Sequence, residues 1–225
     1  ADLAVAEYTI DADLAVNPGA LADAPLLAQA LTGAGFTAQG GPGAWLSPDG
    51  IPVDLMVPEA LAGPGRRGAR LGAHGHRVAR RAKGLEAALV DHDLHTIRAL
   101  ARADTRSATV AVAGPGALLV AKVHKIAERA GDPGRARDKD ALDVLRLLRA
   151  VPTRDLADRL QTLAASKLAA AVTTEALAQI AVLFADLNAE GVAMAVRAAG
   201  IAEDPATIAA SLVALTQDVL DAAAP

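Results

Sequence analysis

Polar and apolar positions change period near the middle of the chain. Tyr8, Ile10, Ala12, Leu14 and Val16 alternate with Thr9, Asp11, Asp13 and Ala15, which is the period of a half-buried β-strand. Asn17-Pro18-Gly19 predicts a turn. Leu21 to Gly33 predicts a helix, with Asp23 as its N-cap and Pro25 in its first turn. Gly33 and Gly35 stop that helix, and Phe36 to Gln39 predicts a short strand. Ala44 to Ser47, then Pro48-Asp49-Gly50, then Ile51 to Val57 predicts a β-hairpin. Gly84 to Val90 and Ala108 to Val112 are expected strands, while His95 to Arg102 has no settled period. From Gly114 onward the pattern is helical. Helices are expected over 116–130, 138–150, 153–166, 174–200 with a break near Gly191, and 204–223, where Asp204-Pro205 supplies an N-cap and N1 pair. The expected fold class is α+β: a small mixed sheet with helices over 1–115, then a helical domain over 116–225.

Composition narrows the function classes. The 225 residues are 52% hydrophobic, enough apolar surface for a packed core, and only 2% aromatic. Ala, Leu, Val and Arg fill the place of aromatics, and alanine favours helices. There is no cysteine, so disulfides and thiolate metal sites are excluded, which fits a reducing cytoplasm. No signal peptide and no uninterrupted apolar run of about 18 residues is apparent, so no membrane span is expected. A net charge of −4 does not advertise a nucleic-acid binder. The charge is unevenly spread, however. Between Glu59 and Glu86 there is no acid, but there are Arg66, Arg67, Arg70, Arg77, Arg80, Arg81 and Lys83. Such a segment either tracks phosphates or forms a solvated glycine-rich loop.

Candidate chemistry starts with carboxylates. On a strand, Asp11 and Asp13 share a face, roughly 7 Å apart. In the second apolar run, Val53, Leu55 and Val57 leave Asp54 and Met56 on the opposite face. If the two strands are neighbours, three acids converge. Their repulsion then calls for a cation, and an all-oxygen cluster suits a hard ion such as Mg²⁺.

The helical half adds a second group. Lys122, Lys125 and Arg129 lie along one helical stripe beside a buried face of Leu119, Val123 and Ile126. Asp140 and Asp143 share a side of the next helix. Taken singly, first-turn acids serve as caps and a Lys/Arg stripe is a solvated face.

Together these pieces resemble the nucleotidyltransferase fold of the DNA polymerase β superfamily, in its AbiEii-like (MenT-like) toxin branch. Thr9-Ile10-Asp11-Ala12-Asp13-Leu14 resembles that branch's Ser/Thr-x-Asp-x-Asp strand, and Val53 to Pro58 its third-carboxylate strand. Ala117 to Arg129 resembles its lysine-bearing helix, and Lys139-Asp140-Ala141-Leu142-Asp143-Val144 its Arg/Lys-Asp-x-x-Asp helix start. The ordered set spans residues 8 to 149. The family's Gly-Gly or Gly-Ser phosphate-binding turn precedes Asp-x-Asp by about ten residues, at a helix N-terminus. Ala1 to Glu7 contains no glycine, so that turn is expected upstream of Ala1 or in a segment left out of the sequence, the remaining alternative being a protein that does not bind nucleotide in the family's way.

The resemblance implies a Mg²⁺-dependent transfer of a nucleoside monophosphate from NTP to an acceptor hydroxyl, with release of pyrophosphate. Asp11, Asp13 and Asp54 would hold two Mg²⁺ ions, and Asp54 would also help deprotonate the incoming hydroxyl. Lys122 would neutralise the triphosphate. Asp140 is assigned to positioning Lys122, nucleotide or acceptor, with Asp143 as a second candidate. Thr9, beside the acids, is expected to be a polar contact or a modification target. Lys122 and Asp140 would reach the cleft from the helical domain. In toxin relatives the acceptor is the tRNA 3′ end, so tRNA or another RNA and a cognate antitoxin are the implied partners, in the cytoplasm. Two alternatives are a nucleotidyltransferase acting on a small molecule or protein, and a non-catalytic interaction protein with the same fold.

Other residues carry less. His74, His76, His92, His95 and His124 lack a completing ligand set for zinc and are expected to be ordinary surface residues. Trp45 and Tyr8 are too isolated for a base-stacking platform. Gly114-Pro115-Gly116 is expected to open a helix rather than cradle a phosphate.

Overall fold

A computed structural model describes residues 11–99, 101–129 and 138–224. The protein is α+β, and its internal contacts divide it into a unit ending at Glu86 and a unit beginning at Ala87. The first holds β1 (Ala12–Ala15), α1 (Leu27–Gly33), β2 (Thr37–Ala38), β3 (Ala44–Leu46), β4 (Pro52–Pro58) and β5 (Arg80–Ala82). The second holds β6 (His92–Arg98), β7 (Ser107–Ala113), α2 (Pro115–Arg129), α3 (Asp138–Ala150), α4 (Thr153–Ala165), α5 (Ala170–Phe184), α6 (Glu190–Ala199) and α7 (Pro205–Ala223). The boundary thus precedes the position near 115 expected from the change of period. The β6–β7 hairpin belongs with the helices, because Asp91 at its base is bonded into them.

In the first unit β4 is the central strand. β1 runs parallel along one edge, with Asp13 opposite Asp54 and Leu14 opposite Leu55. The other edge is shared: antiparallel β3 pairs residues 52–54, and parallel β5 pairs residues 56–58. Gly43 sits where those two partners meet, at φ 77°, and a Cβ there would strike the Leu55 carbonyl and the Arg80 backbone. Val53, Leu55 and Val57 face a core with Trp45, Leu71 and Val78, closed by Leu27, Ala28 and Leu31 of α1. The Trp45 indole donates to the Val78 carbonyl at 3.0 Å. It is a core residue.

Helix α1 begins at Leu27, later than the expected Leu21. A residue before proline is disfavoured in α geometry, so Ala24-Pro25 excludes the first predicted turn. His74 takes the place of the Asp23 cap: its Nδ1 accepts from Leu27 N–H at 2.9 Å, and its Nε2 donates to the Ala22 carbonyl at 2.9 Å. The expected strand over 84–90 is absent. Gly84 adopts φ 85°, and the buried Glu86 carboxylate accepts from Gly84 and Ala60 N–H at 2.9 Å each. The chain therefore folds around an acid and continues as a 3₁₀ turn, Ala87–Leu89.

In the helical unit Asp91 is the main polar anchor. Its Oδ2 accepts from Ala117 N–H at 2.9 Å, its carbonyl accepts from Gly114 N–H at 2.8 Å, and its Oδ1 binds Arg159 of α4. A Cβ on Gly114 would strike that carboxylate and the Arg159 guanidinium. Gly114-Pro115-Gly116 thus opens a helix one of whose N-terminal donors, Ala117 N–H, is met by an internal carboxylate. His124 corrects an expectation. It is not a surface histidine but is 4% exposed, donating to the Val172 carbonyl at 2.8 Å. The predicted 174–200 helix is two helices, and a Cβ on Gly191 would strike the Phe184 ring. Among the described residues, α7 alone is long and apolar enough to cross a membrane. It carries Ser211, Thr216, Gln217 and Asp218, and it packs on α4, α5 and α6.

Candidate functional site

The carboxylates of the first unit come from two adjacent parallel strands. Asp13 and Asp54 are register partners, so their side chains rise from the same face on strands about 4.8 Å apart. Asp11 lies immediately before β1 and is exposed. Thr9 falls outside the described residues. The sheet therefore delivers the neighbouring strands on which convergence of the acids depended. Among the described residues no three acids or histidines are gathered into a metal-binding group.

Arg80 is the residue that sequence reasoning missed. The basic segment reads as a glycine-rich loop, yet 80–82 form β5, whose Arg80 pairs with Met56, two residues beyond Asp54 on the same face. Its Nε and one terminal nitrogen donate to Asp54 Oδ2 at 3.2 and 3.1 Å. Both side chains are 38% exposed, so solvent screens the pair and its net stabilisation is small. Apolar Val78 and Ala79 just before Arg80 are the only hint of a strand in the sequence.

The helical unit gathers the second predicted group. Lys122 Nζ lies 3.0 Å from Asp140 Oδ1 and 2.7 Å from Asp143 Oδ2. Lys125 adds a contact to Asp140 Oδ1 at 3.2 Å, and Arg129 one to Oδ2 at 3.3 Å. Arg146 holds the other oxygen of Asp143 at 3.0 Å. The Asp140 side chain is only 1% exposed, and its position in the first turn of α3 adds the helix dipole. Burial works against its charge, but the hydrogen bond and charge of Lys122, with Lys125, outweigh burial and hold the carboxyl below its ordinary range. Burial likewise opposes the Lys122 ammonium. Asp143 and Asp140 outweigh it and raise the pKa above the usual lysine value. Lys122 is thus a fixed ammonium, positioned by both acids. Four cations, Lys122, Lys125, Arg129 and Arg146, contact the two carboxylates.

Compared with known protein families, curated proteins and solved structures, the chain matches none.

Proposed function

We propose that the protein is a nucleotidyltransferase that moves a nucleoside monophosphate from NTP to an RNA hydroxyl, the tRNA 3′ end first among them. The observation that carries this reading is the register of Asp13 opposite Asp54, with Asp11 two residues upstream. The donor set is all carboxylate oxygen, the chemistry Mg²⁺ selects. Both Arg80 bonds end on one oxygen of Asp54. Asp11, Asp13 and Asp54 would hold the metal, which supplies charge neutralisation for an in-line displacement. Asp54 takes the proton of the attacking hydroxyl. Within the helical unit, Asp140 and Asp143 orient the Lys122 ammonium, a fixed cation of the kind that neutralises phosphate charge. A cytoplasmic setting, where NTP and tRNA meet, and a cognate antitoxin complete the reading.

The test is incubation of the purified protein with Mg²⁺, each labelled NTP and total tRNA. Label enters tRNA with wild type, and Asp13→Ala lowers transfer at least about a hundredfold. Transfer that is absent in wild type, or undiminished in the variant, removes the reading. Candidate small molecules and lysate protein in parallel reactions decide the acceptor class. One observation favours a non-catalytic protein with this fold: Asp54 is already neutralised by Arg80. Calorimetry separates the two, since an inert scaffold gives no Mg²⁺-dependent heat with NTP.

A further inference from the structure

The arginine-rich segment between β4 and β5 is built into the core. Ala62, Ala69, Leu71, Val78 and Ala79 are all buried in one cluster with Val53, Leu55 and Val57 of β4 and Trp45 of β3. Gly68 pairs with Arg80 across an isolated bridge, and a Cβ on Gly68 would strike the His76 carbonyl. Arg81 fastens the same segment, donating to the Gly63 and Gly65 carbonyls and pairing with Glu59 at 3.3 Å. Three arginines are therefore bonded within the fold: Arg80 on Asp54, Arg81 on the loop and Arg77 on the Gly40 carbonyl.

Arg66 and Arg70 are not used in this way. Both are exposed, and no ion pair engages either among the described residues. With His76 they line an open cavity of about 510 Å³, whose other walls are Leu71, Pro64 and glycine backbone. The cavity offers cations and peptide groups, and its lining has no carboxylate to repel a phosphate. Exposed Arg67 and Arg77 extend the positive charge beyond it. Exposed cations spread along a loop, with no acid among them, suit the successive phosphates of a nucleic-acid backbone.

We propose that Arg66, Arg70 and His76 bind the phosphate backbone of RNA. The assignment rests on RNA as the acceptor in the function proposed above, and it names where that acceptor is gripped.

The experiment measures binding of labelled tRNA by fluorescence anisotropy over a salt series, with no NTP present. For the double variant Arg66→Ala/Arg70→Ala, affinity falls about tenfold or more and the slope of log K against log salt drops by about 1.5. Arg66→Lys/Arg70→Lys keeps most of the slope, and Arg154→Ala, an exposed arginine of α4, leaves binding unchanged. Wild-type affinity and slope in the double alanine variant overturn the proposal. So does full displacement of the RNA by ATP at a concentration equal to the protein, which would mark a nucleotide pocket. The two failures are distinguishable. RNA binding that depends on Arg66 and Arg70 in a protein that transfers no label removes the catalytic reading alone. Label transfer that is indifferent to both arginines, with unchanged binding, removes this one alone.

Discussion

The two units differ in what they do with their cations. In the helical unit, Asp140 is enclosed by Lys122, Lys125 and Arg129, and Asp143 is shared by Lys122 and Arg146. In the sheet unit, Arg66 and Arg70 face solvent with no such partner among the described residues, while Arg80 of the same segment holds Asp54. Cations thus hold buried carboxylates in the helical unit, whereas in the sheet unit two arginines form an open surface beside the internally bonded Arg80, Arg81 and Glu86. A buried charge must be met by its own chain, because leaving it unmet costs several kcal/mol. An exposed charge carries no such requirement and remains available to a ligand.

The largest expected effect tests the enclosed side of this contrast. Asp140→Ala leaves three cations without their shared carboxylate and should destabilise the helical unit by about 3 kcal/mol or more, read by urea denaturation. Arg66→Ala or Arg70→Ala should change stability by no more than about 0.5 kcal/mol. Equal losses in the two units would break the comparison.

Acid should separate the units next. The folded pKa of Asp140 is lowered, so its contribution is present above the ordinary carboxyl value and is lost as pH falls through the lowered one. The folded pKa of Lys122 is raised, so its contribution is present below the ordinary lysine value and is lost only as pH rises through the raised one. Stability from this cluster is therefore level between about pH 5 and 9 and declines below about pH 4. Hydrogen exchange in α2 and α3 should show that acid decline in wild type and a weaker one in Asp140→Asn.

The smallest effect lies in the sheet unit. His74→Ala removes the acceptor for Leu27 N–H and the donor to the Ala22 carbonyl. A loss of about 1 kcal/mol is expected, with faster exchange at the start of α1 and no change in the helices of the other unit.

The helical half was the more legible in sequence. Asp138 to Ala150 and Pro205 to Ala223 follow from a steady apolar period and recognisable caps. Asp204 accepts from Thr207 N–H at 2.9 Å, as a residue before a first-turn proline should. Local rules suffice there because helix bonds are local. The sheet unit depends on distant partners. Nothing near Arg80 announces that it will pair with β4, nor does anything near His74 announce a cap for a helix 47 residues earlier. The same holds for the sites. The alternation around Asp13 and Asp54 gave the face each would take, and the structure supplied their register. Lys122 and Asp140 were visible as separate stripes, but their bond depends on how α2 meets α3.

Asp91 has one further consequence. The Asp91 carboxylate at the base of β6 holds the start of α2 and Arg159 of α4, and Asp93 adds a contact to that arginine at 3.5 Å, although the β6 strand itself is exposed throughout. The hairpin is therefore anchored at its root like a lever set in masonry. A spin label at Thr105, near the far end of that lever, should report the tumbling of the whole helical unit. In Asp91→Ala the same label should report a rapid local swing.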